Sequence, residues 1–196
     1  MSDDGGDAPE GTSEPVPAWA YEPVVLSAYD PEWERTARRE ARAVARALGR
    51  WIAAEGVAHV GSTAVPGLAA KPTVDLMAAV TGDLDTVAAA AGPGLAAAGW
   101  VCVPPELDAR PWRRFLVLPD EAGRRRIAHL HLLPAGSGRW DDQLAFRDAL
   151  RADPELANAY EALKRRAAED ADPRDREAYT EAKAEFVLEV VTRLRH

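Results

Sequence analysis

Apolar residues along this chain recur with two spacings, one typical of helices and one typical of strands. After Asp30-Pro31, which supplies an N-cap and a proline suited to the first helical turn, they recur every three or four positions to about Glu55. A second such stretch, interrupted by Gly92-Pro93-Gly94, predicts a helix from Asp83 to Ala98. Short apolar runs predict strands at residues 24–27, 57–60, 73–80, 100–103, 113–118 and 126–133.

The pattern after Pro134 is helical to the end of the chain. It predicts three helices, at residues 140–151, 154–171 and 173–194. Strands followed by a block of helices are typical of an α+β domain. We therefore expect a mixed sheet of about five strands packed by helices, with a C-terminal helical block.

Charge is distributed unevenly along the 196 residues, whose formal net charge is −8. Residues 1–20 carry five acids, no base and almost no large apolar side chain, which predicts a disordered acidic tail before a single folded domain at 21–196. The domain itself is nearly balanced and lacks the positive field typical of nucleic-acid partners. Its arginines at 110, 113, 114 and 124–126 form either a small-anion patch or a solvated face.

Cys102 is the only cysteine, so an internal disulfide and a cysteine-based zinc site are excluded. Its valine neighbours predict a buried strand position. No apolar run approaches the length of a bilayer span, and no signal-peptide pattern opens the chain. These features predict a cytoplasmic protein without a membrane partner.

The segment between His59 and Asp75 carries the most chemistry. Its glycines and prolines exclude a helix and leave a tight loop, in which Gly61, Ser62 and Thr63 are suited to binding a phosphate group. Strand alternation places Asp75 on the face opposite its apolar neighbours, where its carboxylate is a candidate ligand for a divalent cation. The alternative is a buried aspartate that caps a loop.

His129 and His131 lie two positions apart on a predicted strand and therefore share one face. We predict that they join Asp75 in a catalytic centre, in which Asp75 and His131 hold a metal ion. His59, at the end of another strand, is predicted to lie beside this centre and to contact substrate. Histidines satisfied within a polar sheet face are the alternative.

The chain contains three lysines, Lys71, Lys164 and Lys183. Arginine supplies the other positive charges, so each lysine is a candidate for a position that requires a compact ammonium group. We predict a phosphate contact for Lys71, and a compositional bias toward arginine is the alternative explanation for the scarcity of lysine. For Lys164 and Lys183, phosphate contacts are what the resemblance described below implies, with helix-surface salt bridges as the alternative.

The string His-Val-Gly-Ser-Thr-Ala-Val-Pro-Gly-Leu-Ala-Ala-Lys-Pro-Thr-Val-Asp-Leu at 59–76 resembles the signature of the GrpB family, whose members are placed in the nucleotidyltransferase superfamily. The resemblance continues at residues 129–131, 146–151, 160–164 and 179–183, and it extends from about Val24 to Leu194. In that superfamily a Gly-Ser loop holds the triphosphate, an Asp-x-Asp pair binds metal, and a later strand adds a third carboxylate. Here Met77 fills the second aspartate position, and histidines replace the later acid.

The resemblance implies metal-assisted transfer of a nucleotidyl or related group from a nucleotide or small-molecule ligand to a small acceptor. The expected cofactor is one divalent ion, Mg²⁺, Mn²⁺ or Zn²⁺. One alternative is a binding module without transfer, like the related domain appended to dephospho-coenzyme A kinases. Another is an isomerase, cyclase or hydrolase that uses the same histidines and aspartate, since fold does not fix chemistry. The sequence leaves the oligomeric state open.

Overall fold

The computed structural model describes residues 16–23, 25–170 and 176–195. The strands are β1 (Ile52–Val60), β2 (Val74–Val80), β3 (Val101–Cys102), β4 (Arg114–Pro119) and β5 (Arg126–Pro134). The helices are α1 (Glu32–Leu48), α2 (Leu84–Ala97), α3 (Pro105–Asp108), α4 (Gly138–Ala152), α5 (Pro154–Asp170) and α6 (Arg176–Leu194).

The five strands form one mixed sheet in the order β1-β2-β5-β4-β3. β2 and β5 run parallel, and every other neighbouring pair is antiparallel. With helices α4 to α6 following the last strand, this architecture confirms the predicted α+β fold and its C-terminal helical block.

Three local predictions differ from the structure at glycine, proline and edge positions. Gly49, at φ +52°, ends α1 before the predicted Glu55, so β1 begins at Ile52. Helix α2 continues through Pro93 without the predicted interruption. Cys102 is exposed and not buried, because β3 is a two-residue strand at the sheet edge. Of the predicted first strand, Val24 lies outside the described residues and Ser27 forms one bridge, to Ala70.

The main core lies between one sheet face and helices α1 and α2. Alternate residues of β2 supply its centre, as their period of two predicts, and they are joined by residues of β5 and both helices. Its fully buried members include Val44, Leu48, Leu76, Ala78, Val80, Val87, Leu95, Leu130 and Leu132. This packing fixes which β2 and β5 residues point to the opposite face.

The opposite sheet face is covered in part. Met77, Ala79 and Leu133 pack there against Trp140 of α4. Beyond this cluster, Asp75 and its histidine neighbours remain partly accessible, with 31% of the Asp75 side chain exposed. The polar end of this face is therefore the part that a ligand can reach.

The segment before α1 belongs to the folded surface from residue 16 onward. Ala18–Tyr21 forms a 3₁₀ turn, and Trp19 is buried. The Trp19 amide donates to Gly123 O at 3.2 Å, and the Arg126 guanidinium lies 5.0 Å from the Trp19 ring. Residues 16–20 of the predicted tail therefore belong to the folded surface, and residues 1–15 lie outside the described residues.

The part of the chain that the structure describes contains no helix that could span a membrane. None of its helices has both the length and the apolar character that a bilayer crossing requires.

Candidate functional site

Asp75, His129 and His131 meet on the partly open sheet face. The parallel register of β2 and β5 pairs Asp75 with His129 and Met77 with His131, which brings the three polar side chains to one face as predicted. His129 Nδ1 lies 2.9 Å from Asp75 Oδ1, and His131 Nε2 lies 3.8 Å from the same oxygen. His129 is therefore hydrogen-bonded to Asp75, whereas His131 is too far from this oxygen for a hydrogen bond.

The charge state of this cluster follows from burial and mutual contact. Burial raises the pKa of the Asp75 carboxyl, but the two neighbouring imidazoles outweigh this effect and hold that pKa well below its usual range. Burial lowers the pKa of both His129 and His131, although Asp75 acts in the opposite sense. At neutral pH the cluster is therefore one carboxylate flanked by two neutral imidazoles.

The hydrogen bond between His129 and Asp75 has a defined direction. An ionised carboxylate only accepts, so Nδ1 of His129 carries the proton and Nε2 carries a lone pair. His129 Nε2 is buried and has no hydrogen-bond partner among the described residues. An imidazole oriented in this way by a carboxylate is a typical general base.

A buried ion pair between Asp108 of α3 and Arg113, the residue before β4, supports the cluster. Arg113 donates through Nε to Asp108 Oδ2 at 2.9 Å and through Nη2 to Asp108 Oδ1, and it also hydrogen-bonds His131 Nδ1 through Nη1. The Phe115 ring lies 4.4 Å from this guanidinium and 5.2 Å from the His131 ring. Asp108, Arg113 and Phe115 thus hold His131 from the side opposite Asp75.

The Gly-Ser loop begins directly against the Asp75 carboxylate. Gly61 has φ +70°, and a Cβ atom at this position would lie 2.5 Å from Asp75 Oδ2. After it, Ser62–Ala64 forms a single 3₁₀ turn in which Ser62 is half-buried. The loop backbone and the carboxylate are therefore packed together at Gly61. The phosphate contact expected of Gly61 and Ser62 stays a prediction.

His59 lies on the other face of the sheet. Its register partner on β2 is Leu76, a residue of the main core, so the His59 ring points toward α1 and away from Asp75. There His59 Nε2 lies 3.0 Å from Thr63 Oγ1, and burial lowers the pKa of His59 to about 4, although the charge of Asp75 acts in the opposite sense. The structure does not bring His59 or the buried Thr63 hydroxyl into the Asp75 cluster.

Side chains of α4 and α5 hold the loop from behind. Arg147 donates to His59 O at 3.0 Å, Arg151 donates to Ala64 O at 2.9 Å, and Lys164 donates to Ala69 O. The Ala69 amide donates to Glu161 at 2.9 Å. Lys164 is 1% exposed, so its ammonium is a structural anchor for the loop and does not face a ligand in this arrangement.

The Asp75, His129 and His131 cluster and the adjoining Gly-Ser loop are called the pocket below, and the other two lysines lie nearer to it. Lys71 forms an ion pair with Glu22 at 2.9 Å. Burial lowers the pKa of Lys183 to about 8, Asp75 raises it, and Lys71 lowers it. Helix α6 thus brings Lys183 within the electrostatic range of Asp75, where a phosphate contact is predicted.

Comparison with known proteins assigns the chain to a family. The sequence model of the GrpB protein family matches residues 23–193. The chain belongs to the GrpB family. A UPF0157 protein of Streptomyces coelicolor is 38% identical over 87% of this chain and 83% of its own length. The UPF0157 protein of Halalkalibacterium halodurans is 34% identical, over 87% and 82% of the two chains.

Solved structures include another member of the GrpB family. The crystal structure of the conserved protein GrpB from Enterococcus faecalis aligns with a TM-score of 0.70 at 26% identity, covering 88% of this chain and 100% of that chain. A structure of Cid1 in complex with its short product ApU aligns at 16% identity and a TM-score of 0.49, over 71% and 42% of the two chains. A likeness as weak as the second carries no inference for this GrpB-family chain.

The pocket of this GrpB-family protein offers one group of metal ligands. Among the described residues, Asp75, His129 and His131 are the cluster whose ligand atoms lie within 4.8 Å of one another. The cluster contains a single carboxylate, as the substitution of Met77 for a second aspartate predicts. A two-metal arrangement normally requires more carboxylates than this.

Sequence reasoning missed the residues that support the pocket. The sequence shows Arg113 only as one of several arginines. No sequence pattern links it to Asp108 or His131, because these contacts depend on α3 and on the β4–β5 register. Arg147 and Arg151 fall in the stretch at 146–151 that resembles the family. The resemblance indicated that this stretch matters but did not indicate what either arginine contacts.

Proposed function

We propose that this GrpB-family protein binds the phosphate groups of a nucleotide or related small molecule at Asp75 and transfers a nucleotidyl or similar phosphate-bearing group to a small acceptor. The observation that supports the proposal most directly is the packing of the ionised, partly exposed Asp75 carboxylate against Gly61 of the Gly-Ser loop. Family membership supports the reaction class, because the signature of the loop resembles that of nucleotidyltransferase-superfamily proteins.

A divalent cation fits the donor set at Asp75. Mg²⁺ is commonly held by one or two carboxylates together with substrate phosphates and water, so a single ionised aspartate is sufficient when the phosphates supply further oxygens. The partly exposed side chain of Asp75 leaves the carboxylate reachable for this role. Such an ion would neutralise charge that develops on the phosphate oxygens during transfer.

The protein's own residues would supply the remaining contacts to the phosphate groups. The loop backbone from Gly61 to Ser62 lies beside the carboxylate, held from behind by Arg151 and Lys164. Lys183 supplies positive charge from α6, within the field of Asp75. These groups orient a phosphate chain and offset its charge, which is the main requirement in phosphoryl chemistry.

A thermal-shift and calorimetry panel tests this function. ATP, GTP, CTP and UTP are added singly with Mg²⁺, Mn²⁺ or Zn²⁺, and at least one pair is expected to raise the melting temperature, since ligands that bind the folded state stabilise it. Asp75→Asn is expected to fold but to lose the metal-dependent part of the shift. Asp85→Asn, which removes an exposed carboxylate paired with Arg114 outside the pocket, is the matched control.

Two results would contradict the proposal. One is the absence of any nucleotide-dependent shift with all three metals. The other is metal-dependent binding by Asp75→Asn that equals that of the parent. Binding without product formation in the presence of acceptors would support the binding module in place of the transferase.

Acid–base catalysis without metal is a second candidate, and the hydrogen bond between His129 and Asp75 is the observation that favours it. This pair leaves a lone pair on His129 Nε2, as a general base requires, and this buried atom would have to become accessible to the substrate for that role. The panel separates the two candidates: ligand binding that is independent of metal but lost in His129→Gln supports acid–base chemistry, whereas strict metal dependence supports group transfer.

A further inference from the structure

Arg113 is the residue that determines which ring nitrogen of His131 carries the proton. Its guanidinium is held in place by two hydrogen bonds to Asp108 and by the ring of Phe115, and Arg113 and Asp108 are only 9% and 8% exposed. Trp112 lies on another side of the same guanidinium, 5.2 Å away. Arg113 is thus an immobile donor aimed at His131.

The contact between Arg113 and His131 fixes the position of the imidazole proton. Arginine has only donors and stays charged, so His131 Nδ1 must accept. A neutral imidazole whose Nδ1 accepts carries its proton on Nε2. This Nε2–H group faces the Asp75 carboxylate at 3.8 Å, too far for a hydrogen bond, and so it remains available to a ligand.

We propose that Arg113 is a positioning residue that keeps His131 in the Nε2–H form, so that His131 donates a hydrogen bond to an anionic oxygen of the ligand and does not bind metal through Nε2. Metal ligation would require the lone pair on Nε2 and the proton on Nδ1, where it would meet the Arg113 N–H group. The predicted metal pair of Asp75 and His131 is replaced by Asp75 alone with ligand oxygens.

The ligand class follows from the same geometry. A fixed N–H donor beside an ionised carboxylate suits a phosphate oxygen that is bridged to that carboxylate by a cation. The donor role toward phosphate depends on the proposed function, whereas the proton position on His131 does not. The two claims therefore fail separately.

Nitrogen-15 NMR of histidine-labelled protein measures the proton position directly. The chain has four histidines, and His131→Gln assigns the relevant signals by their loss. At pH 7.5 to 8, without metal or nucleotide, the His131 signals are expected to show a protonated Nε2 and an unprotonated Nδ1. A protonated Nδ1 in the parent protein would overturn the proposal, whether or not any variant folds.

Variants test whether Arg113 determines the position of the proton on His131. Arg113→Met is made together with Asp108→Asn, so that no buried carboxylate is left unpaired. In this double variant His131 is expected to populate both tautomers and no longer the Nε2–H tautomer alone. The affinity of the variant for Zn²⁺ without other ligands is expected to rise by about tenfold as Nε2 becomes a ligand. Arg110→Met, at a guanidinium 3.6 Å from the same Asp108, is the control and should match the parent.

Two further outcomes decide the proposal. Zn²⁺ added to the parent should leave His131 Nε2 protonated, and loss of that proton with Arg113 intact would overturn the exclusion of His131 as a ligand. Inorganic pyrophosphate with Mg²⁺ should shift the His131 Nε2–H resonance, and binding without this shift would overturn the donor role. Failure of all nucleotides and pyrophosphate to bind would instead contradict the proposed function and leave the proton position decided by the metal-free spectrum.

Discussion

At the scale of single residues, the pocket depends on a contact between a glycine and a carboxylate. Gly61 adopts φ +70°, where residues with side chains are strained, and it leaves the space that Asp75 Oδ2 occupies. The carboxylate in turn orients His129. One missing methyl group therefore determines whether the acid, the loop and the base fit together.

Gly61→Ala is expected to displace the Asp75 carboxylate, because the new Cβ would lie 2.5 Å from Oδ2. Gly67→Ala is the matched control, since Gly67 has a similar φ of +81° but nothing within 4 Å of a Cβ atom. Both variants should lose about 1–3 kcal/mol of unfolding free energy to backbone strain. Only Gly61→Ala should also lose metal-dependent ligand binding in calorimetry, and equal binding by the two variants would contradict the role of the contact.

At the scale of elements, the helical block and the Gly-Ser loop form one unit. Arg147, Arg151 and Lys164 each bind a backbone carbonyl in or beside the loop, so α4 and α5 determine its position. Lys164 is the most buried of the three and lies 5.0 Å from the Tyr160 ring. The position of the loop consequently depends on these two helices.

Lys164 gives this attachment a pH dependence whose sign is defined. Burial lowers its folded-state pKa from 10.5 to about 8, so between these values the unfolded chain binds more protons and folding stability rises with pH. Relative to Lys164→Met, the parent should gain on the order of 3 kcal/mol across this interval. Denaturant unfolding at pH 7.5 to 10.5 measures it, with Arg165→Met as an exposed control. A flat difference would show that Lys164 stays charged when folded.

The period of two along β2 and β5 was enough to predict that Asp75, His129 and His131 share a face. The same reasoning misplaced His59, because Val60 and not His59 is the β1 residue opposite Asp75, and a shift of one residue exchanges the faces of a strand. The role of Arg113 could not be predicted, since its partners lie five residues before it and eighteen after it in elements whose packing no local pattern encodes.

At the scale of the whole molecule, the segment before α1 closes the sheet end near the pocket. Trp19 packs beside Arg126, and Glu22 pairs with Lys71 and accepts from the Arg126 amide at 3.2 Å. Ser27 bridges to Ala70. This segment therefore belongs with the domain.

Two truncations separate these parts. A protein that begins at Val16 should melt at the parent temperature, because residues 1–15 hold too little apolar surface to contribute. One that begins at Pro23 should melt about 5 °C lower or more, since burial of a large apolar side chain contributes about 1.5–3 kcal/mol. Full-length Trp19→Ala should reproduce most of that loss in calorimetry. An unchanged melting temperature for the Pro23 protein would show that the Trp19 contact is energetically neutral.

The parallel pairing of β2 with β5 also sets the order in which this protein can assemble. Asp75 and His129 are 54 residues apart in the chain, and Lys164 is 95 residues from its partner Ala69. Contacts between such distant residues close late and slow the folding reaction, because the entropy of large loops is lost before they form. During synthesis the carboxylate emerges long before its histidines, and the loop emerges before its anchors. The pocket therefore cannot form before β5 pairs with β2, and a chain that binds its ligand there has already made this pairing.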